Sequence, residues 1–219
     1  MEQIQQSEEK EDENLTPYDA LALSLSKGTI PSRILLDRLR MIDEESRKSS
    51  QYQDSNYLPF YYHLSKISSP ESILNVGFGL GLPLCCFLQG CSTSKRAVCV
   101  QRPDPKVFYS PRIGVSNIKS LKGKGFEVDF HSCSLSDPAF RKSASEGFEL
   151  AMITEKAPVD VVHEAMDVCW EYLSLGGFMT VEYLNSNLKI GEVFKDFCKT
   201  KSKEHRIFGT RYGTGVVQK

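Results

Sequence analysis

The stretch Leu74-Asn75-Val76-Gly77-Phe78-Gly79-Leu80-Gly81-Leu82-Pro83 constrains the fold of this chain more than any other. An apolar run feeds a turn with glycine at every second position, and a helical pattern follows at once. Glycines so placed permit φ > 0 and remove Cβ atoms where backbone must approach a ligand. The helix after the turn presents free N–H groups at its start, and Pro83 suits that first turn. A strand, a glycine turn and a helix in this order open a βαβ unit, and therefore a parallel sheet.

The remainder of the chain repeats the rhythm. Ser72–Val76, Ala97–Val100, Phe126–His131, Phe148–Thr154 and Phe178–Leu184 read as strands. Between them, Pro83–Leu88, residues 111–124, Pro158–Ser174 and Leu188–Lys199 carry helical spacing. The clearest helix is Pro158–Ser174, where Val161, Val162, Ala165, Met166, Cys169, Trp170 and Leu173 share a face. His205–Thr210 and Thr214–Gln218 lie too close together for a crossover, so that pair must be antiparallel. The expectation is an α/β, doubly wound, mostly parallel, seven-stranded Rossmann-like sheet with a terminal antiparallel hairpin, spanning 67–219. Upstream, residues 15–66 read as an N-terminal helical cover. Thr16-Pro17 opens one helix, Ile34, Leu35, Leu39 and Ile42 mark a second, and Tyr57–Ile67 an aromatic-rich third. Residues 1–14 hold six acids against Lys10 and little apolar content, which predicts a disordered acidic tail and a candidate segment for a protein partner.

Other features exclude whole classes. A net charge of −1 and the lack of a basic stripe argue against nucleic acid. No apolar run approaches the roughly 20 residues of a membrane span. The polar, acidic N-terminus is neither a secretory signal nor a transit peptide. The seven cysteines are odd in number, form no CxxC pair and sit mostly in apolar runs. They read as reduced core thiols of an intracellular, cytoplasmic protein, with neither a disulfide framework nor a zinc site.

The glycine spacing discriminates among ligands. A dinucleotide loop wants GxGxxG, and its third glycine is here Leu82; a Walker A loop fails because no GK[ST] follows. On the loop alone, a ligand-free tight turn stays an alternative. The GxGxG spacing, Leu175-Gly176-Gly177-Phe178 before the fifth strand, and the closing Arg211-Tyr212-Gly213-Thr214-Gly215-Val216-Val217 resemble the class I S-adenosylmethionine (SAM) methyltransferases, in particular small O-methyltransferase-like members.

That resemblance implies SAM as cofactor, at the carboxyl ends of the first and fourth strands, and a small-molecule acceptor methylated at oxygen. It assigns the loop to Gly77, Phe78, Gly79 and Gly81, a ribose contact to Gln101, the adenine pocket to Ser134 and Leu135, and the methionine end to Glu155. The chain departs from the family pattern at two of three acids. Gln101-Arg102 stands where an acid ends strand two, and Ser132-Cys133-Ser134-Leu135 follows strand three, with Asp137 late. Glu155 and His163 are the candidate catalytic residues, with a solvated strand-end carboxylate and a helix-surface histidine as their bland alternatives. Glu182 and Asn185 after strand five could line the pocket. No Asp-Asn pair is present there, so no metal is expected. His131 with Cys133, and the aromatic set Tyr57, Phe60, Tyr61 and Tyr62, are read as core packing. Two rival functions remain: a catalytically inactive methyltransferase fold acting through protein partners, and an NAD- or nucleotide-binding oxidoreductase.

Overall fold

The computed structural model describes residues 57–79, 81–103, 111–122, 125–210 and 212–219. The acidic tail and the first two helices of the expected cover lie outside the described residues. The third is present as α1 (Tyr57–Ser68). After it the chain runs β1 (Ser72–Val76), α2 (Leu82–Gly90), β2 (Arg96–Val100), α3 (Pro111–Lys122), β3 (Glu127–His131), α4 (Pro138–Ala144), β4 (Phe148–Ile153), α5 (Val159–Tyr172), β5 (Leu173–Val181), α6 (Leu188–Thr200), β6 (His205–Phe208) and β7 (Thr214–Gln218).

The strands form a seven-stranded sheet in the order β3-β2-β1-β4-β5-β7-β6. β3, β2, β1, β4 and β5 are parallel, and β7 is antiparallel to both β5 and β6. This is the doubly wound α/β arrangement that the alternation implied. The order reverses at the β1–β4 pair, where the two adjoining crossovers leave in opposite directions and open a crevice at the strands' carboxyl ends.

Period-two alternation divides the interior into two cores. Ile73, Cys99, Leu150, Met152 and Phe178 pack with Phe60, Tyr61 and Leu64 of α1, Leu84 and Phe87 of α2, and Ile118 of α3. Leu74, Val76, Ala151, Ile153 and Met179 pack on the other face with Phe140 of α4, Met166 and Cys169 of α5, and Phe194 and Cys198 of α6. Both faces of the central strands are buried, so these strands read as continuous apolar runs. None of the cysteines is disulfide-bonded, and all but Cys133 are buried. Cys85, Cys86, Cys91 and Cys99 belong to the first core, Cys169 and Cys198 to the second. Among the described residues no helix is long and apolar enough to cross a membrane.

One boundary differs from the sequence reading, and one helix is new. The fifth strand begins at Leu173, ahead of the Gly-Gly pair expected to precede it. Gly176 takes φ 80° and donates its N–H to the Lys219 carbonyl, while Gly177 accepts from the Lys219 N–H. The glycines therefore form an irregularity inside the strand, where the β4–β5 register shifts between Phe148 and Leu150. α4 has seven residues and buries only Phe140 and Ala144, too few positions for periodicity to reveal it.

Candidate functional site

The glycine loop is built at the switch point from both central strands. Asn75 is fully buried in β1, and its Nδ2 donates to the Met152 carbonyl (3.1 Å) and to Thr154 Oγ1 (3.0 Å) across the β1–β4 seam. Thr154 Oγ1 donates in turn to the Gly77 carbonyl (2.7 Å). Gly77 has φ 81°, and a Cβ there would lie 2.4–2.5 Å from Glu155 Cβ, Cα and N, so the two strand-end loops touch with no room for a side chain. Gly79 (φ 54°) and Gly81 (φ 72°) also take the left-handed region that favours glycine. The Gly79 N–H is held by Gln101 Oε1 at 2.8 Å, which ties the loop to the end of β2. A Cβ on Gly81 would meet the Phe78 ring at 2.7 Å. Phe78 is 1% exposed and packs against Phe130 with ring centroids 5.5 Å apart. Its side chain is core, its N–H donates to the Val100 carbonyl (3.4 Å), and its carbonyl accepts from the Gly81 N–H (2.8 Å).

Arg102 was given no role by sequence reasoning, yet it spans the crevice. Its Nε lies 3.5 Å from Glu155 Oε2, its Nη1 3.1 Å from Glu164 Oε2, and its Nη2 donates to the Val161 carbonyl (3.3 Å). A cation from the end of β2 thus reaches the carboxylate after β4 and the first turn of α5. The signal in the sequence was the substitution itself, Gln-Arg where the resemblance calls for an acid; its reach depends on tertiary packing.

The remaining assigned residues divide. Ser134 is exposed, with its Oγ 2.9 Å from Ser136 Oγ. Leu135 is fully buried in the second core, and its carbonyl accepts from Arg141 Nε (2.7 Å). Asp137, the late acid, caps α4 by accepting from the Ala139 N–H at 2.8 Å. His163 is not brought to the crevice. It lies on the outer face of α5, half exposed, with Nδ1 3.4 Å from Asp167 Oδ2 one turn on. His131 Nε2 lies 2.9 Å from Asp129 Oδ2. Burial and Asp137 push the Cys133 thiol up, which keeps it protonated and unsuited to nucleophilic attack.

At the end of β5, Glu182 does not open to solvent. It is 1% exposed and accepts a hydrogen bond from the fully buried Tyr61 hydroxyl of α1. Burial and then the Glu182 carboxylate push the Tyr61 phenol well above its ordinary value. Phe60 and Tyr61 meet edge to face at 5.2 Å, so these aromatics pack as core. Asn185 donates its N–H to the Tyr212 carbonyl (2.8 Å), and its amide lies where a Cβ on Gly213 would sit.

A cavity of about 410 Å³ opens beside this end of the sheet. Lys156 and Ala157, directly after Glu155, form one wall. Tyr183, Ser186 and the first turn of α6 form the other. Tyr183 has φ 67°, a conformation bulky residues rarely adopt, and its ring lies 5.1 Å from that of Tyr212. A larger cavity, about 610 Å³, lies between α3 and β3 and includes none of the assigned residues. Among the described residues no group of three or more His, Cys, Asp or Glu is placed to hold a metal ion.

No protein-family model and no curated protein matches the chain. Solved structures do. The O-methyltransferase of Bacillus cereus in complex with S-adenosylhomocysteine (SAH) is similar over 93% of this chain and 100% of its own, with TM-score 0.62 and 14% identity. A methyltransferase of Geobacter sulfurreducens is similar over 91% and 94%, with TM-score 0.59 and 16% identity. The O-methyltransferase TomG of Streptomyces achromogenes, involved in tomaymycin synthesis and solved with SAM, is similar over 93% and 98%, with TM-score 0.59 and 10% identity. At such identities the likeness establishes the fold alone, which is shared with these methyltransferase structures.

Proposed function

We propose that the chain is a SAM-dependent methyltransferase acting at an oxygen of a small-molecule acceptor. The observation that carries this reading is the loop at the β1–β4 switch point, where Gly77, Gly79 and Gly81 are all left-handed, on a fold shared with methyltransferases solved with SAM or SAH. The residues fit such a cofactor at the loop, whose alternate positions carry no Cβ and leave backbone to face the crevice. In this reading the backbone of Gly77, Phe78, Gly79 and Gly81 holds the cofactor's centre. Gln101 turns its amide from the Gly79 N–H toward the ribose hydroxyls, a contact without charge assistance. The Ser134 hydroxyl and the Leu135 backbone border the adenine. Glu155 faces the methionine end and shares its charge with Arg102.

When bound, SAM supplies an electrophilic methyl that an acceptor oxygen takes as it loses its proton, the C–S electron pair returning to sulfur. The chain's part is alignment, exclusion of water and a base. Glu155 is the candidate base, touching the loop on one side and bordering the cavity through Lys156 on the other. His163 has no part here, since it faces solvent beside Asp167.

Isothermal titration of the purified chain with SAM and with SAH tests the reading, with Gly79→Arg as control. Micromolar binding that Gly79→Arg abolishes is expected. Absence of binding to either ligand would refute the proposal and favour a fold retained for protein contacts, with Arg102 closing the crevice.

A further inference from the structure

We infer that the acceptor is anionic: a carboxylate or phosphate group carried on a flat apolar body and held by Lys156 and Lys189. The inference rests on the methyltransferase reading for the meaning of the site, but its argument is the cavity's own. The cavity begins one residue beyond Glu155, the residue that touches Gly77 of the glycine loop. Anything bound in it therefore lies beside the crevice, at the carboxyl ends of β4 and β5.

Its lining is lopsided in charge. Lys156 comes from the loop after β4 and Lys189 from the first turn of α6, so cations stand on both walls. The other described residues of the lining are neutral, so no carboxylate inside the cavity offsets them. Both lysines are exposed, and among the described residues neither ammonium group has a hydrogen-bond or ion-pair partner. Two lysines on facing walls of one concavity put like charges at its rim, and an anion bound between them is attracted by both.

Besides the lysines, the lining combines Ala157, Tyr183, Leu188 and Ile190 with the neutral polar Ser186 and Asn187. Tyr183, 7% exposed and tilted 33° against the Tyr212 ring, forms the narrow aromatic part of the wall. Leu188, 77% exposed, leaves an apolar lip at the mouth. An aromatic wall suits a flat ring, and a volume of about 410 Å³ accommodates one ring with its substituents. Tyr183 is fixed in its left-handed conformation by the loop it starts, since its carbonyl accepts from the Asn187 N–H (3.2 Å) and from Ser186 Oγ (3.1 Å). The wall is therefore preformed. An anion held between the lysines leaves a hydroxyl at the far end of the ring free to turn toward Glu155.

Ligand-observed NMR on the full chain, without cofactor, tests this with 4-hydroxybenzoate, phenyl phosphate and the neutral 4-hydroxybenzamide. We expect one or both anions to bind at least about fivefold more tightly than the amide, a preference that fades as salt rises. Lys156→Gln and Lys189→Gln should each weaken the anion about threefold to tenfold and leave the amide unchanged. Which anion responds names the source of the charge. Equal binding of amide and anions, or anion binding indifferent to both substitutions, overturns the proposal. Titration of the parent chain with SAH separates the two readings. Lysine-dependent anion binding without SAH binding would remove the methyltransferase reading and keep the anionic cavity, whereas SAH binding with lysine-independent anions would do the reverse.

Discussion

Tyr61→Phe removes one oxygen from the interior and little else. The ring keeps its edge-to-face contact with Phe60, and both it and Glu182 are essentially sealed from solvent. What is lost is a hydrogen bond to a buried carboxylate. Hydrogen bonds to charged groups contribute about 1.5–3 kcal/mol, with the upper end expected where the charge is buried. We expect a loss of about 3 kcal/mol at pH 7, read as a lower urea midpoint at unchanged slope. In the Tyr61→Phe background, Glu182→Gln removes the charge and should recover about half of that loss. The pH dependence carries a sign. The folded phenol is held well above the value of about 10 that it has in the unfolded chain, so its contribution is fully present below pH 10 and is lost as pH rises beyond it. The gap between parent and Tyr61→Phe should therefore narrow above pH 10. A gap under about 0.5 kcal/mol at pH 7, or an equal gap at pH 7 and pH 11, would refute the reasoning.

Two further perturbations address the crevice. Thr154→Val removes the donor to the Gly77 carbonyl and the acceptor for Asn75. It should cost about 1–3 kcal/mol, a fall of several degrees in melting temperature, and weaken SAH in calorimetry, since the loop loses its anchor. Unchanged SAH affinity would show that the loop keeps its shape without that anchor. Arg102→Met leaves Glu155 without the cation beside it. SAM carries one more positive charge than SAH, so its affinity relative to SAH should rise about fivefold, the effect of a partly exposed charge worth on the order of 1 kcal/mol. A constant ratio would place Arg102 outside the cofactor's field.

What the sequence disclosed follows the range of each interaction. The glycine loop was legible because φ > 0 is a local demand that glycine meets. The parallel sheet was legible because βαβ alternation admits few arrangements. The start of β5 was not, because Leu175-Gly176-Gly177 looks like a break until the Lys219 backbone pairs with both glycines. Tyr61 and Glu182 are 121 residues apart, and Arg102 finds Glu164 across 62, so neither contact leaves a pattern in any short window. Asn75 did leave one. It is the polar residue near the end of an apolar strand, and its place on the β1–β4 seam gives that oddity its cause. The exposure of His163 was not legible either, because nearness in sequence to a strand end does not decide which face of a helix a residue takes.

The division of thiols between the two cores makes the chain its own reporter of opening. A thiol reagent reaches a buried cysteine only when the surrounding packing comes apart, and burial that pushes Cys85 up to about 12 makes it unreactive until then. Cys85, Cys86 and Cys99 mark one side of the sheet and Cys169 and Cys198 the other. If the two sets are modified at one rate, the sheet and both helical layers loosen as a single unit. If one set leads, that layer peels away while its opposite still holds the strands, and mass spectrometry of the modified peptides would identify which.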